Sequence, residues 1–416
     1  EDRYPSSLFL RLEAEADAAE RTDAGLLPDP SADLTLSDAD VWLERYAQRS
    51  PDAPRGETAR DRLGRVYPWL LRGETARQAR RSDRYTEHDG LLADGIYEEL
   101  DFLSDAHTQK MSAGRLETLA ETPYVYFLRY VLGIQPLDEP ALDDEPWMNR
   151  LAHGDLLHQT FEAFMKEIDG AAPSPLDQER LHRILRQKVD RYAQRLAPPS
   201  EVVRDGAMRR LWNDALVFLR AETERAGTFE ALHHELGFGF GPHRRREGDR
   251  GAVTLSVGDN QSLRLRGRID RVDRLTGSDA TGLAIWDYKT GSASGYDEEE
   301  PLQEGTTLQW ALYAYALEQG QDEPVTQSGY FFTSTREMGT RLTFHPARYR
   351  EAVDAIVTGL ADLARTGTFP MTPDARRANA WKYRGYDRLF PDLAERSRNL
   401  KAKTFPENRP TPRILR

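Results

Sequence analysis

The sequence contains no cysteine among its 416 residues. This absence excludes disulfide bonds, thiolate metal sites and iron–sulfur clusters held by cysteine. The sequence also has no run of about 18 apolar residues, which a transmembrane helix requires. Near its N-terminus it lacks the short apolar stretch of a secretory signal. We therefore predict a cytoplasmic protein that does not contact a membrane.

Acidic residues outnumber basic residues. The chain contains 69 Asp and Glu and 57 Lys and Arg, which gives a formal net charge of −12. An acidic surface keeps a protein solvated and repels polyanions such as nucleic acids. Contact with phosphate groups would therefore depend on local clusters of arginine, each of which is also typical of an ordinary solvated surface. Three such clusters occur, at Arg77, Arg80, Arg81 and Arg84, at Arg244, Arg245 and Arg246, and at Arg264, Arg266 and Arg268.

The pattern of apolar residues divides the chain into three regions. Residues 1–105 combine short helical patterns with breaks rich in proline and aspartate, which predicts a helical N-terminal segment. Residues 106–400 contain the long regular segments and are predicted to form the main domain. Residues 401–416 form a short basic tail.

Within the main domain the periodicity changes from helical to extended. Apolar residues spaced by three and four predict helices over about 146–169, 176–196, 203–227 and 306–320, and an amphipathic stretch over 112–134 that is broken near Pro123. Alternating or continuous apolar runs predict strands at 231–241, 252–257, 262–275, 283–291 and 328–335. This order predicts an α/β core flanked by helices.

Two aspartates are predicted to face each other across a hairpin. The strands 262–275 and 283–291 are joined by a short polar turn at Gly277–Ala280, and Asp270 and Asp287 lie at nearly equal distances from it. Opposed residues on one face have Cβ atoms roughly 5 Å apart. Two carboxylates this close repel each other unless a cation neutralises them, and a divalent metal ion is the natural candidate.

Lys289 follows Asp287 by two residues, so both side chains leave the same face of a strand. A metal ion with an ammonium group beside it suits the hydrolysis of a phosphodiester, since both stabilise negative charge on the phosphate. An ordinary surface hairpin with unrelated charges is the alternative. The apolar run that precedes Asp287 argues against that alternative, because it places the charges at the buried end of a strand.

Three further polar residues lie on the neighbouring helices. His158 has Gly154 and Glu162 four residues away on the same helical face, and an imidazole is a suitable third metal ligand. The alternative is a partly buried histidine that has a purely structural role. Gln309 and Tyr313 are also four residues apart. They are either two ordinary polar side chains on one helical face or groups that contact a phosphate or position Lys289.

Taken together, these residues resemble the RecB-family nuclease domain of the PD-(D/E)XK superfamily over roughly residues 110–400. Four short motifs occur in that family's order, namely Gly154 with His158, Gly267 to Asp270, Asp287 to Gly291, and Gln309 with Tyr313. The resemblance implies a restriction-endonuclease-like core, a central mixed sheet flanked by helices, with extra helical segments. It implies that His158, Asp270, Asp287 and the carbonyl of Tyr288 bind Mg²⁺ or Mn²⁺. Lys289, Gln309 and Tyr313 would then serve catalysis, and Glu235 lies where the family often has an acidic residue.

The sequence is most similar to the C-terminal nuclease domain of AddB-type helicase–nuclease subunits, but it lacks their four iron–sulfur cysteines. Thr122 stands at the first cysteine position, and Trp381, Arg384 and Phe390 match the spacing of the other three. The resemblance therefore implies a relative without the cluster, in which packing must hold the two arms of the domain instead.

The resemblance implies a metal-dependent DNA exonuclease that acts on single-stranded ends in double-strand-break repair and recombination. No GxxxxGK[ST] phosphate loop is present, so a helicase would be a partner subunit, and residues 1–105 would be a remnant of, or linker to, a helicase-like region. One alternative is a stand-alone RecB-like or Cas4-like nuclease of defence or CRISPR adaptation. The other is an inactive DNA-binding scaffold, which the joint presence of Asp270, Asp287 and Lys289 argues against.

Overall fold

The computed structural model describes residues 67–136, 147–258, 261–277, 281–371, 386, 400 and 403–415. The chain separates into two units, Glu1–Arg81 and Ser82–Arg416. In the first unit, helix α1 spans Pro68–Arg81, and none of its residues is buried. All the other elements described below belong to the second unit.

The second unit contains seven α-helices among the described residues. They are α2 (Ala113–Glu121), α3 (Pro123–Tyr126), α4 (Arg150–Ile168), α5 (Gln178–Arg195), α6 (Glu201–Glu224), α7 (Gln309–Glu318) and α8 (Arg350–Arg365). The predicted break near Pro123 is confirmed, because proline cannot continue a helix and instead occupies the first turn of α3. No helix in the described ranges is both long and apolar enough to cross a membrane.

The central sheet has five strands in the order β1–β4–β5–β6–β7. The seven strands in the described ranges are β1 (Phe229–Phe238), β2 (Val253–Val257), β3 (Gln261–Leu265), β4 (Gly267–Leu275), β5 (Gly282–Lys289), β6 (Val325–Phe332) and β7 (Arg341–Phe344). β5 and β6 are parallel and are connected through α7, whereas the other pairs in this sheet are antiparallel. The predicted α/β fold with a mixed sheet flanked by helices is confirmed.

Both faces of β5 are buried, which explains its continuous apolar sequence. Leu283 and Ile285 point into a core that includes residues of α2, α7 and α8. Ala284, Trp286 and Tyr288 point into a second core, formed with α4, α5 and α6. The strand therefore runs between two helical layers, and Asp287 and Lys289 emerge where this apolar stretch ends.

The segment 262–275 is not the single strand that its alternation predicts. It divides at Arg266 into β3, which pairs with β2 in a separate two-stranded sheet, and β4, which belongs to the central sheet. At the division, Arg266 N–H donates to the carbonyl of Met111, and Met111 N–H donates to the carbonyl of Arg264, both at 2.8 Å. The alternation of apolar residues continues through Arg266, so only these long-range contacts reveal the change of sheet.

The segments around Thr122 are held together by apolar packing. Thr122 is fully buried, and its hydroxyl donates to the carbonyl of Thr118. A nearby core joins the N-terminal and C-terminal parts of this unit and contains Tyr85, Leu91, Val125, Leu128, Met371, Tyr386 and Leu400. A buried ion pair between Lys403 and Asp89, at 2.6 Å, links the same two parts. Trp381, Arg384 and Phe390 lie outside the described residues.

A network of buried charges lies within the core formed with α4, α5 and α6. Arg271 of β4 pairs with Glu222 at 2.7 Å and with Asp273 at 2.6 Å, and Arg341 pairs with Glu222 at 2.5 Å. Arg271, Glu222 and Asp273 are each no more than 1% exposed. Trp286 Nε1 also donates to Asp273. Each charge in this network therefore depends on its partners for compensation.

Candidate active site

The β4–β5 hairpin places Asp270 near enough to Asp287 for the Asp287 charge to act on the Asp270 carboxylate. The paired residues run from Leu275 opposite Gly282 to Arg271 opposite Trp286. One position further, Tyr288 N–H donates to Asp270 Oδ2 at 2.8 Å. The Asp270 carboxylate thus accepts the hydrogen bond that a backbone carbonyl would accept in a regular strand pair. This hydrogen bond holds the carboxylate at the end of the hairpin. The turn residues 278–280 lie outside the described part of the chain.

His158 of α4 reaches this carboxylate from the helical layer. Its Nδ1 lies 3.4 Å from Asp270 Oδ2 and 3.9 Å from Glu235 Oε1. Its Nε2 lies 3.1 Å from the carbonyl oxygen of Tyr288. Four of the groups that the sequence analysis singled out, including Glu235, therefore meet at one point between α4 and the sheet.

Glu235 has a backbone conformation that is unusual for a residue with a side chain. It lies in β1 with φ of 53°, and the pairing between β1 and β4 skips Glu235 and Asp270. A positive φ of this size lies in the left-handed region, where a non-glycine residue is destabilised by about 1–3 kcal/mol. Such strain is concentrated at functional sites. The interactions of the surrounding structure therefore offset this strain and keep the Glu235 carboxylate beside Asp270.

Asp287 is held by a different pair of groups. Its Oδ2 forms an ion pair with Lys289 Nζ, and its Oδ1 accepts a hydrogen bond from Gln309 Nε2 at 2.7 Å. Asp287 is 6% exposed, so these contacts compensate a buried charge. The structure thus places Gln309 against a predicted metal ligand rather than against Lys289.

Tyr313, one turn further along α7, packs against β4 at Gly267. A Cβ at Gly267 would lie 2.7 Å from the rings of both Tyr313 and Phe238, so the glycine of this motif makes room for the tyrosine. The Phe238 and Tyr313 rings meet edge to face at 5.4 Å. Helix α4 lies close to the end of β5 at Gly154, since a Cβ added at Gly154 would lie 3.5 Å from Thr290 Oγ1.

The crowding of carboxylates changes their proton affinity. Burial, followed by the charges of Asp287 and Glu235, raises the pKa of Asp270 well above its ordinary value. Burial, followed by the charge of Glu162, raises the pKa of Glu235 to about 7. Burial is the largest single effect on the pKa of Lys289 and would lower it, but the charge and hydrogen bond of Asp287, with Tyr296 and Asp270, together raise that pKa, so the ammonium stays protonated.

These donors fit a divalent cation. One ligand atom each from His158, Glu235 and Asp270 all lie within 4.8 Å of one another. Carboxylate oxygens are the donors that Mg²⁺ and Mn²⁺ prefer, and an imidazole nitrogen is a common ligand of first-row transition-metal ions. Burial is the largest cause of the raised pKa values of Glu235 and Asp270, and the neighbouring carboxylates add to it. A cation at this point would compensate that added negative charge.

Glu117 of α2 supports the site, although the sequence pattern did not single it out. Its Oε1 accepts hydrogen bonds from the backbone N–H groups of Leu308 at 2.8 Å and Gln309 at 2.9 Å. A carboxylate at this end of α7 satisfies donors that the helix leaves unpaired and interacts favourably with the helix dipole. Glu117 and Gln309 are 192 residues apart in sequence, so only the fold reveals the contact.

Replacing Glu117 with alanine is expected to lower the free energy of unfolding by about 1–2 kcal/mol, the usual cost of losing a helix cap. The start of α7 would loosen, and the amide of Gln309 would no longer be held against Asp287. Urea denaturation measures the loss of stability. The control is Glu179→Ala, which removes an exposed glutamate from the first turn of α5. Equal stability of the two variants would contradict the capping role.

Comparison with known proteins agrees with this geometry. The PD-(D/E)XK nuclease superfamily matches residues 110–380. An ATP-dependent helicase/deoxyribonuclease subunit from Clostridium perfringens is 26% identical over 265 residues, which is 61% of this chain and 21% of that protein. Proteins of the same name from Clostridium tetani and Alkaliphilus oremlandii are each 26% identical, over 44% and 55% of this chain and 15% and 19% of their own length.

The chain spans about a fifth of the length of these relatives, so the likeness concerns one region of a larger protein. The part of this chain that matches the superfamily contains every residue of the site described above, from Glu117 to Lys289 and Tyr313. The similarity predicted from the four short motifs is confirmed: this chain belongs to the PD-(D/E)XK nuclease superfamily.

Proposed function

We propose that this chain is a deoxyribonuclease that requires a divalent metal ion, Mg²⁺ or Mn²⁺. The observation that supports the proposal best is the meeting of His158, Glu235 and Asp270 beside the Asp287–Lys289 pair. Nucleases of this superfamily share that combination of clustered acidic ligands with one lysine. The matched relatives are named as helicase/deoxyribonuclease subunits, which supports DNA as the substrate.

In this proposal His158, Glu235 and Asp270 hold the ion, with Asp287 and the carbonyl of Tyr288 alongside. The ion would supply Lewis-acid stabilisation of the phosphate and lower the pKa of an attacking water. Lys289 places a fixed positive charge next to the same carboxylates, where negative charge develops on the phosphate. Gln309 fixes the orientation of Asp287, and Tyr313 closes the wall of the site at Gly267.

A second set of proposals rests on the resemblance to helicase–nuclease subunits rather than on the geometry. We propose that the enzyme is an exonuclease that acts on single-stranded DNA ends delivered by a helicase partner, in the cytoplasm, during double-strand-break repair. The proposed nuclease domain comprises residues 106–400, between the N-terminal segment 1–105 and the basic tail 401–416. Hydrolysis would leave 5′-phosphate and 3′-hydroxyl ends.

The experiment is a cleavage assay of the whole chain on end-labelled single-stranded and double-stranded DNA, with Mg²⁺, Mn²⁺ or EDTA. We expect cleavage with either metal, none in EDTA, and recovery when the metal is restored. Circular single-stranded DNA is the matched substrate, because an exonuclease leaves it intact. Cleavage of the circle would replace the exonuclease by an endonuclease. A folded protein that cuts nothing with either metal would refute the nuclease proposal for this chain.

A further inference from the structure

A basic cleft lies at the end of β5, next to the candidate active site. It has a volume of about 830 Å³ and is lined by residues from the start of α4, from α6, and from the loops that follow β5 and β6. Thr290, Gly291 and Ser292, which continue directly from Lys289, form one wall. The same helix α4 supplies both His153 in the cleft and His158 in the candidate metal site, so the two sites lie within about two turns of each other on one helix.

The charge of this cleft is opposite to that of the whole chain. Arg150, Arg210 and Arg336 contribute three guanidinium groups from three separate elements, whereas the chain carries a net charge of −12. In the part of the chain that the structure describes, neither Arg150 nor Arg210 forms an ion pair with a carboxylate. Arg336 pairs only loosely with Glu337, at 3.6 Å, and its side chain is 73% exposed. These cations are available to an anionic ligand.

One carboxylate lines the cleft, and it is already engaged. Asp214 Oδ2 lies 2.8 Å from His153 Nε2, and Asp214 Oδ1 accepts a hydrogen bond from Thr335 N–H at 2.8 Å. Asp214 is 8% exposed, so its charge is directed into these two contacts rather than towards the cleft. The same contacts tie the loop that carries Arg336 to α4 and α6. The contacts of Asp214 therefore hold the walls of the cleft together, and the cleft presents positive charge.

We propose that this arginine cleft (Arg150, His153, Arg210 and Arg336) binds the phosphodiester backbone of a single nucleic-acid strand beside the phosphate to be cleaved. The inference rests on the proposed nuclease function. Guanidinium groups bind phosphates well, because their planar donors match the phosphate oxygens. Contacts of this kind position a strand without reading its bases. The cleft thus predicts binding that depends on salt and is independent of sequence.

The test measures binding without hydrolysis, by the fluorescence anisotropy of a labelled oligodeoxythymidylate in EDTA at several salt concentrations. For a single strand, each lost phosphate contact reduces the slope of log K against log [salt] by about 0.7. We expect this reduction, with weaker binding, for Arg210→Ala and for Arg336→Ala. Arg209→Ala is the matched control, since Arg209 is an exposed neighbour on α6 that does not line the cleft.

The outcomes separate the cleft from the nuclease activity. Cleft variants that keep the wild-type salt slope would overturn the inference, even if the wild type cleaves DNA. Failure of the wild type to bind the oligonucleotide would overturn it as well. Reduced slopes in the cleft variants, with an unchanged Arg209→Ala, would support it, even if no metal restores cleavage. In an active enzyme the same variants should raise KM more than they lower kcat, because these arginines contact the neighbouring phosphates rather than the reacting one.

Discussion

Replacing Lys289 with methionine is expected to lower kcat for DNA hydrolysis by about 10²–10³-fold, the usual cost of removing one group that stabilises transition-state charge. Methionine keeps most of the length of the side chain and removes only the ammonium. Because Lys289 lies beside the clustered carboxylates rather than along the basic cleft, KM should change little. Steady-state kinetics with Mg²⁺ on end-labelled single-stranded DNA measure both constants.

The control for this prediction is Lys188→Met on α5, which makes the same chemical change outside the site. Both variants should have circular dichroism spectra like that of the wild type, so that a lost rate is not mistaken for a lost fold. Asp287→Asn should reduce activity at least as strongly, because it removes the carboxylate that Lys289 and Gln309 hold. A Lys289→Met enzyme as fast as the wild type would show that the lysine takes no part in the reaction.

Replacing Arg271 with methionine is expected to cost about 3–5 kcal/mol of the free energy of unfolding, because it leaves buried carboxylates without their partner. Glu222 and Asp273 would both lose an ion pair shorter than 3 Å in a region that water does not reach. Domains of this kind are stable by only about 5–15 kcal/mol, so the variant should be close to unfolding. Urea denaturation monitored by tryptophan fluorescence measures the change.

The matched control lies on the same strand. Arg274 also forms two ion pairs, with Glu230 at 3.0 Å and Glu323 at 3.1 Å, but its side chain is 44% exposed. Arg274→Met should cost far less stability than Arg271→Met, because water already solvates those charges. The two arginines thus have similar partners and differ in burial. Similar losses of stability in the two variants would show that burial does not determine the strength of this network.

The buried network also connects stability to the site. Arg271 Nη1 lies 3.5 Å from the hydroxyl of Tyr288, whose backbone N–H holds Asp270 and whose carbonyl contacts His158. The ring of Tyr288 packs between the rings of Phe161, Phe218 and Phe331. Through Tyr288, the aromatic core and the buried ion pairs therefore help to fix the positions of the candidate metal ligands. Sequence periodicity does not reveal this support, since Arg271 appears in it as one charge among many.

The sequence by itself determined the fold class and the part of the site that lies on single elements. Asp287 and Lys289 follow from the two-residue period of a strand, and the hairpin that brings Asp270 near them follows from a short polar turn. Gln309 and Tyr313 follow from the four-residue spacing of a helix. These features depend on neighbours in sequence, so local rules are sufficient to predict them.

Only the tertiary structure decided which residues meet from different elements. It placed Glu235 of β1 beside Asp270 and bound Glu117 of α2 to the start of α7. It also divided the segment 262–275 between two sheets. The cleft draws its three arginines from separate elements, whereas the arginine clusters visible in the sequence are elsewhere. Such contacts join residues far apart in the chain, and their energy arises from packing and burial that no local pattern records.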